Sequence, residues 1–315
     1  MKLNGVEIED TFAEAFKTYA CRVLVTALNE KWLREAASSA CGYATSMIDC
    51  PCEAGVEKYV PANATPDHRP GVILMFCMSK KKKVGDKEVD NIGEVLMERL
   101  GQCILTCPTT AVFDAFPKDR QDDQSNVICK TGYNLSFFGD GFQEKGGDEF
   151  PFPTYKVPVM DGVFVTQNAF RADKAVAGGN FMIMGASVES ALQAAQAAVD
   201  AIHTVDYVIT PFPGGIVRSG SKVGSLKYPK ILKASTNQFM CPTLRTKVPG
   251  NLVPDGIAAV YEIVIDGLDE KHVGAAMKAG IIAASKVSGV KKITAGNYGG
   301  KLGPFKFGLK SLLGL

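Results

Sequence analysis

Four times along the chain, an apolar run of β type is followed by a stretch of helical period and then by a second apolar run. The first unit opens at residues 22–26. Asn29 is placed to cap a helix whose inward face is Leu33, Ala36, Ala37 and Ala40, spaced i, i+3, i+4 and i+7, and Gly42 is placed to end it. Residues 44–48 are expected to return as a strand. The second unit opens at residues 71–76, and its helix carries Ile92, Val95, Leu96 and Leu100. Residues 103–107 read either as the last turn of that helix or as a short strand, and residues 133–138 as the better strand. The third opens at 180–185, with Ser187 as cap and Leu192, Ala195, Val199 and Ile202 facing inward, and returns at 207–210. The fourth opens at 258–265, is capped by Asp269, and buries Val273, Ala276, Met277, Gly280, Ile281 and Ala284. Gly289 stops that helix and 290–295 is the returning strand.

Two such units in tandem make one ferredoxin-like α+β layer, an antiparallel βαββαβ sheet with its helices on one face. The expected fold is therefore α+β with two ferredoxin-like lobes. The Gly- and Pro-rich residues 146–153 divide them, giving lobes 1–150 and 151–315.

One residue breaks the pattern of the fourth unit. Alternation puts Val260, Glu262 and Val264 on one strand face. A carboxylate between two valines is costly on a dry face. Either Glu262 is an ordinary solvated strand residue, or its carboxyl is kept neutral or paired for use as a general acid.

Glycine-rich loops follow two of the returning strands. Residues 211–224 gather Gly214, Gly215, Arg218, Ser219, Ser221 and Lys222. Residues 295–303 gather Asn297, Gly299, Gly300 and Lys301. Such loops let backbone amides approach a ligand, while Arg and Lys neutralise carboxylate or phosphate. The 211–224 loop is neither a P-loop nor a dinucleotide fingerprint. The first reads equally as a structural loop or an anion cradle. Residues 137–143 form a similar turn whose plainer reading is Asp-Gly turn chemistry.

Composition narrows the chemistry. The 35 basic and 33 acidic residues give a net charge of +2, against a dedicated nucleic-acid surface. The absence of a long uncharged apolar run argues against a membrane span, and acids near the start argue against an export signal. The nine cysteines lack zinc-type spacing, and His68, His203 and His272 are scattered, so no metal site is expected. Reduced thiols in the cytoplasm are the expectation. The 80–83 lysine run reads as a solvated turn and 118–124 as a charged surface loop. Nucleophile signatures are missing, which favours direct transfer between two bound substrates.

Segments 4–16, 99–103, 137–143, 211–224, 234–237, 260–265 and 295–303 together match one pattern in order. By them the chain resembles the formylmethanofuran–tetrahydromethanopterin N-formyltransferase family. The resemblance implies an enzyme that reversibly moves a formyl group from methanofuran to tetrahydromethanopterin, or a variant such as tetrahydrosarcinapterin, in one-carbon metabolism and methanogenesis. It implies no prosthetic group, two ferredoxin-like lobes (1–150 proximal, 151–315 distal) and a homotetramer built as a dimer of dimers. The family's acid/base glutamate falls on Glu262. Substrate binding is expected at Gln102, Arg218, Ser219, Lys222, Asn297, Gly299, Gly300 and Lys301. The rival readings are a formyltransferase subunit of a bacterial formyltransferase/hydrolase complex, and a non-catalytic scaffold of the same fold.

Overall fold

The computed structural model describes residues 2–120 and 126–315. It is a mixed α/β structure with six α-helices among those residues. Two compact units divide it: one comprises Thr18–Thr45 and Pro51–Lys174, the other Met1–Lys17, Ser46–Cys50 and Ala175–Leu315. The first is interrupted only by residues 46–50, whereas the second joins pieces distant in sequence.

The unit of Thr18–Thr45 and Pro51–Lys174 is built on β1 (Phe12–Thr26, from Thr18 onward), α1 (Glu30–Cys41), β2 (Glu53–Val60), β3 (Gly71–Met78), α2 (Ile92–Arg99) and β4 (Ala111–Asp114). Hydrogen bonds order the strands β4–β1–β3–β2, all antiparallel. The capping logic of α1 is realised: the Asn29 side chain accepts from the Trp32 N–H, and Leu33, Ala36, Ala37 and Ala40 are buried. Ile92, Val95 and Leu96 are buried in α2, and the helix continues through a π-turned stretch, Leu100–Leu105, which settles residues 103–105 as helical.

Two expected strands are absent here. Residues 44–48 run into a turn, where the Cys50 N–H donates to Ser46 O at 2.8 Å, and β2 supplies the returning strand instead. Residues 133–138 lie mostly in α3 (Thr131–Ser136). Tyr133, Leu135 and Phe137 alternate as a strand would, but Thr131 and Leu135 are the buried pair. Tyr133 and Phe137, four apart, contact ring to ring at 4.9 Å on the outside. The 80–83 lysine run lies at the start of a two-stranded ribbon, Lys81–Val84 with Lys87–Asp90. Of the expected 118–124 loop, Lys118–Arg120 forms a 3-10 turn and the rest lies outside the described residues.

The other unit contains β5 (Phe170–Gly185, from Ala175 onward), α4 (Val188–Ile202), β6 (Val208–Ile209), β7 (Ala259–Gly267), α5 (Glu270–Ser285) and β8 (Val290–Thr294). Its strand order is β8–β5–β7–β6, again antiparallel. Val6–Ile8 adds a parallel strand beside β8, and Phe305–Gly308 pairs with the first residues of β1. Ser187 caps α4 in a reciprocal box with Ser190, and the Asp269 side chain accepts from the His272 N–H. The inward face of α4 is mainly alanine (Ala191, Ala194, Ala195, Ala198), with Leu192 only half-buried. Small side chains let α4 approach the sheet closely. Phe181, Ile183, Ile263, Ile265 and Ile293 meet both helices in one core. No helix among the described residues is long and apolar enough to cross a membrane.

In the first unit a bulge in β2 at Glu57, between Val56 and Lys58, aims its carboxylate at Arg22 on β1. The contact is bidentate, Nε to Oε2 at 2.6 Å and Nη2 to Oε1 at 2.7 Å, and both side chains are buried. Removing one partner takes the bidentate counter-charge away from a buried group. Glu57→Ala is expected to destabilise by about 3–5 kcal/mol, and the Arg22→Met/Glu57→Leu double variant by far less. Urea unfolding of both variants checks this, and equal losses would contradict it.

Candidate active site

The sheet of the second unit has one face against α4 and α5. Register places Met182 opposite Glu262 and Thr294 opposite Met182 on the other face. Paired residues share a face, so the three side chains stand in a row across β7, β5 and β8. Two strand spacings, about 10 Å, separate Glu262 from Thr294. On the far side of Glu262 the backbone of Val217 bridges to it, with the Val217 N–H donating to Glu262 O at 2.8 Å and the Glu262 N–H to Val217 O at 3.1 Å. Val217 and Met182 are buried and Glu262 is half-buried between them. No hydrogen bond or ion pair from the described residues reaches its carboxylate. Burial alone raises its pKa to about 7. Near neutrality the carboxyl is thus divided between acid and conjugate base, which suits proton donation and recovery.

Two walls flank this floor. One is the turn of residues 295–303, which follows β8. Its base is held by Asn180 of β5, whose Oδ1 accepts from the Gly296 N–H at 2.6 Å and whose Nδ2 donates to Gly296 O at 3.2 Å. Its length is held by Glu14, whose carboxylate accepts from the N–H groups of Tyr298, Gly300, Leu302 and Gly303. Burial pushes the Glu14 pKa up, but the four amides pull harder and the net shift is downward. The other wall is an arm, residues 216–258, that leaves the sheet and returns. At its far end Val253 and Ile257 bury against Met184, with Met240 and Val260 beside them. Arg245 fastens this return by donating to Val253 O at 3.0 Å and Ile257 O at 2.7 Å. The arm begins at a tight glycine turn: Gly215 has φ +76°, and a Cβ there would lie 2.6 Å from Thr210 Oγ1.

The arm is strongly basic. Residues 216–254 hold seven Lys and Arg and no Asp or Glu, so this wall attracts anions. Arg218 and Ser219 are exposed immediately after the Val217 bridge. Lys222 is half-buried, its Nζ donating to Ser235 Oγ at 2.6 Å and Thr236 O at 3.3 Å, which ties the hairpin Ser221–Val223/Ala234–Thr236 together. On the other wall, the Asn297 Nδ2 donates to Thr11 Oγ1 and Phe12 O, and its Oδ1 accepts from the Gly299 N–H. Gly299 and Gly300 adopt φ +68° and +78°, and Lys301 is exposed. One unit therefore contains Glu262, Arg218, Ser219, Lys222, Asn297, Gly299, Gly300 and Lys301. Gln102 belongs to the other unit, exposed on the π-turned stretch, with its carbonyl accepting from Thr106 Oγ1.

Sequence reasoning passed over Met182, Thr294, Asn180 and Glu14. For Glu14 a signal existed: it is a lone acid inside Phe-Ala-Glu-Ala-Phe, the same anomaly that singled out Glu262. Burial pushes up the thiols of Cys21, Cys41 (to about 12), Cys107 and Cys129 (to about 11), leaving them protonated and poorly nucleophilic. Among the described residues no group of three or more His, Cys, Asp or Glu is arranged to hold a metal.

A half-buried carboxyl with a pKa of about 7, beside a basic arm, is consistent with a group-transfer enzyme. Comparison with known families gives that class a definite member. The model described as formylmethanofuran-tetrahydromethanopterin formyltransferase matches residues 1–159, and "FTR, proximal lobe" matches residues 162–312. The chain belongs to the formylmethanofuran–tetrahydromethanopterin formyltransferase family. That description gives "proximal" to the C-terminal half, so the labels expected from the sequence are exchanged. The enzyme of that name from Methanocaldococcus jannaschii is 54% identical over 99% of both chains, and that from Methanothermobacter thermautotrophicus is 53% identical over 99% of this chain and all of its own. The solved formyltransferase from Methanosarcina barkeri superposes with a TM-score of 0.90 at 48% identity, covering 99% of this chain and 100% of its own. A chain of the formyltransferase/hydrolase complex from Methylorubrum extorquens, solved with methylofuran, gives 0.88 at 39% identity, covering 99% and 98%.

The raised pKa of Glu262 carries a stability consequence of definite sign. Its stabilising contribution is fully present below the ordinary carboxylate pKa and is lost as pH rises through about 7. Glu262→Gln cannot ionise, so it is expected to gain on the parent between pH 5 and pH 8, by on the order of 1–3 kcal/mol once solvent on its open side is discounted. Paired Tm measurements at the two pH values check this. A difference independent of pH would mean that Glu262 titrates as an ordinary surface acid.

Proposed function

We propose that this chain is a formyltransferase that moves a formyl group reversibly between formylmethanofuran and tetrahydromethanopterin, by direct transfer while both are bound. Near-full-length membership of the family supports the reaction. The observation that carries the mechanism is Glu262, half-dry, without a hydrogen-bond partner among the described residues, and titrating near pH 7.

The pterin nitrogen attacks the formyl carbon and forms the new C–N bond, while the carbonyl electron pair moves onto oxygen. The neutral Glu262 carboxyl donates to that oxygen as charge develops. Collapse of the tetrahedral species breaks the C–N bond to methanofuran. The proton lost by the attacking nitrogen ends on the departing amine, and Glu262 returns to its starting state. Arg218, Ser219, Lys222 and Lys301 hold the acidic tails of the two substrates. Asn297 orients polar atoms, and Gly299 and Gly300 shape the turn. Holding both substrates in one cleft supplies the proximity that direct transfer needs.

Two ferredoxin-like lobes are the architecture we assign, following the two units rather than the expected cut near residue 150. Strand orders β4–β1–β3–β2 and β8–β5–β7–β6, each with two helices between strands, support it. The assembly we assign is a homotetramer, a dimer of dimers, in the cytoplasm. Large exposed side chains on the arm, among them Leu226 and Ile231 at 80% and 77%, support a self-association surface. A second reading, a transferase subunit that passes formyl groups to a hydrolase, draws on the likeness to the Methylorubrum extorquens complex. Copurification with a hydrolase partner separates the two.

General acid–base help contributes roughly 10²–10⁴ in rate. Glu262→Gln is therefore expected to lose kcat by about that factor with both KM values within a few-fold. Turnover close to the parent from pH 6 to 8 would remove the acid role. Arg218→Ala is expected to raise KM for one substrate more than it lowers kcat, because tail binding is shared by ground and transition states. The reverse split would place Arg218 at the reacting atoms.

A further inference from the structure

Glycine-rich turns with several inward N–H groups commonly cradle a ligand's anion. The turn of residues 295–303 has that form, yet its amides are already spent. Glu14 Oε2 accepts from Tyr298 N–H at 2.8 Å and Gly300 N–H at 3.2 Å; Oε1 accepts from Leu302 N–H and from Gly303 N–H at 3.1 Å. The Gly299 N–H is taken by Asn297 Oδ1 at 3.1 Å. Glu14 is 1% exposed. The protein thus places its own carboxylate where a ligand anion would sit.

We propose that Glu14 is a positioning residue for formyl transfer: its carboxylate fixes this turn in the one shape that presents Tyr298 and Lys301 to substrate. The proposal rests on the reading that the turn lines the substrate cleft. Three observations carry it. The turn grips no ligand through its amides at 298, 299, 300, 302 and 303, so what it offers outward is the exposed Lys301 ammonium and the Tyr298 ring, 47% exposed. The turn's base touches the floor of the site, since a Cβ on Gly296 would stand 3.2 Å from Met182 Cε, and Met182 lies opposite Glu262. Finally, the turn lies hard against the strand that bears Glu14: a Cβ on Gly303 would come within 2.1 Å of Ala15 O. Fixing the turn before substrate arrives removes an ordering cost from binding, so the loss of Glu14 falls on KM more than on kcat.

The test uses the full-length enzyme. Glu14→Gln keeps the size but sets an NH₂ against two N–H donors. Its amides at 298, 300, 302 and 303 are expected to exchange with deuterium about tenfold faster or more, with KM for one substrate raised about tenfold and kcat lowered less than threefold. Glu14→Asp, which keeps the charge, is expected to fall between Gln and parent in both readouts. Acetate is expected to restore KM of Glu14→Ala by refilling the nest. Faster exchange with both KM values unchanged would reduce Glu14 to a structural anchor and overturn the proposal. So would an unfolded Gln variant accompanied by a folded Asp variant with the parent's exchange pattern and a KM unlike the parent's. Lys301→Ala serves as the separate control: unchanged KM values there remove the turn from the substrate site, and the site reading falls with it.

Discussion

The site depends on keeping one carboxyl dry on a sheet. A β-sheet has two faces, and here α4 and α5 take one of them with a large aliphatic core. That leaves the face of Glu262 to be covered by irregular chain. The Val217 bridge, the buried Met182 and the Val253–Ile257 return of the arm supply the cover. Irregular cover shields the carboxyl only in part, so Glu262 stays half-buried. A third helix layer would have buried it for good.

Glu14 and Glu262 show what decides the state of a lone acid in an apolar strand. Both stand among small or β-branched neighbours, and burial presses both towards the neutral form. Four backbone N–H groups converge on Glu14 and hold it ionised. None from the described residues converges on Glu262, which drifts to neutrality. The hydrogen-bond partners, not the burial, separate a carboxylate held ionised from one whose pKa rises to about 7.

Much of this was legible in the sequence, for identifiable reasons. The helices of the α/β units announced themselves through caps and period: Asn29, Ser187 and Asp269 each cap as their position predicts. Local signals failed where tertiary packing overrode them. Tyr133 and Phe137 alternate with Leu135, but only the helix lets Leu135 reach the core while the rings meet outside. Residues 44–48 are apolar enough for a strand, yet Ser46 starts a turn there. In the site, Glu262 and the cations of residues 211–224 were visible as chemical anomalies. Met182, Thr294 and Asn180 were not, because they look like any strand residues until register sets them on the same sheet face as Glu262.

The unit that holds Glu262 takes its first piece from residues 1–17 and its last from 175–315. Glu7 and Ile8 pair with Lys292 and Ile293, and Ala15 pairs with Phe305. These pairings therefore wait for residues 290–308, whereas the unit ending at Lys174 has all its strands well before. Such long-range closure is slow, since the loop must be ordered before any contact rewards it. Until then Phe12–Ala15 lack the Phe305–Gly308 strand beside them. Closing this unit is thus a late, long-range step, and late long-range pairing is the kind that invites misassembly.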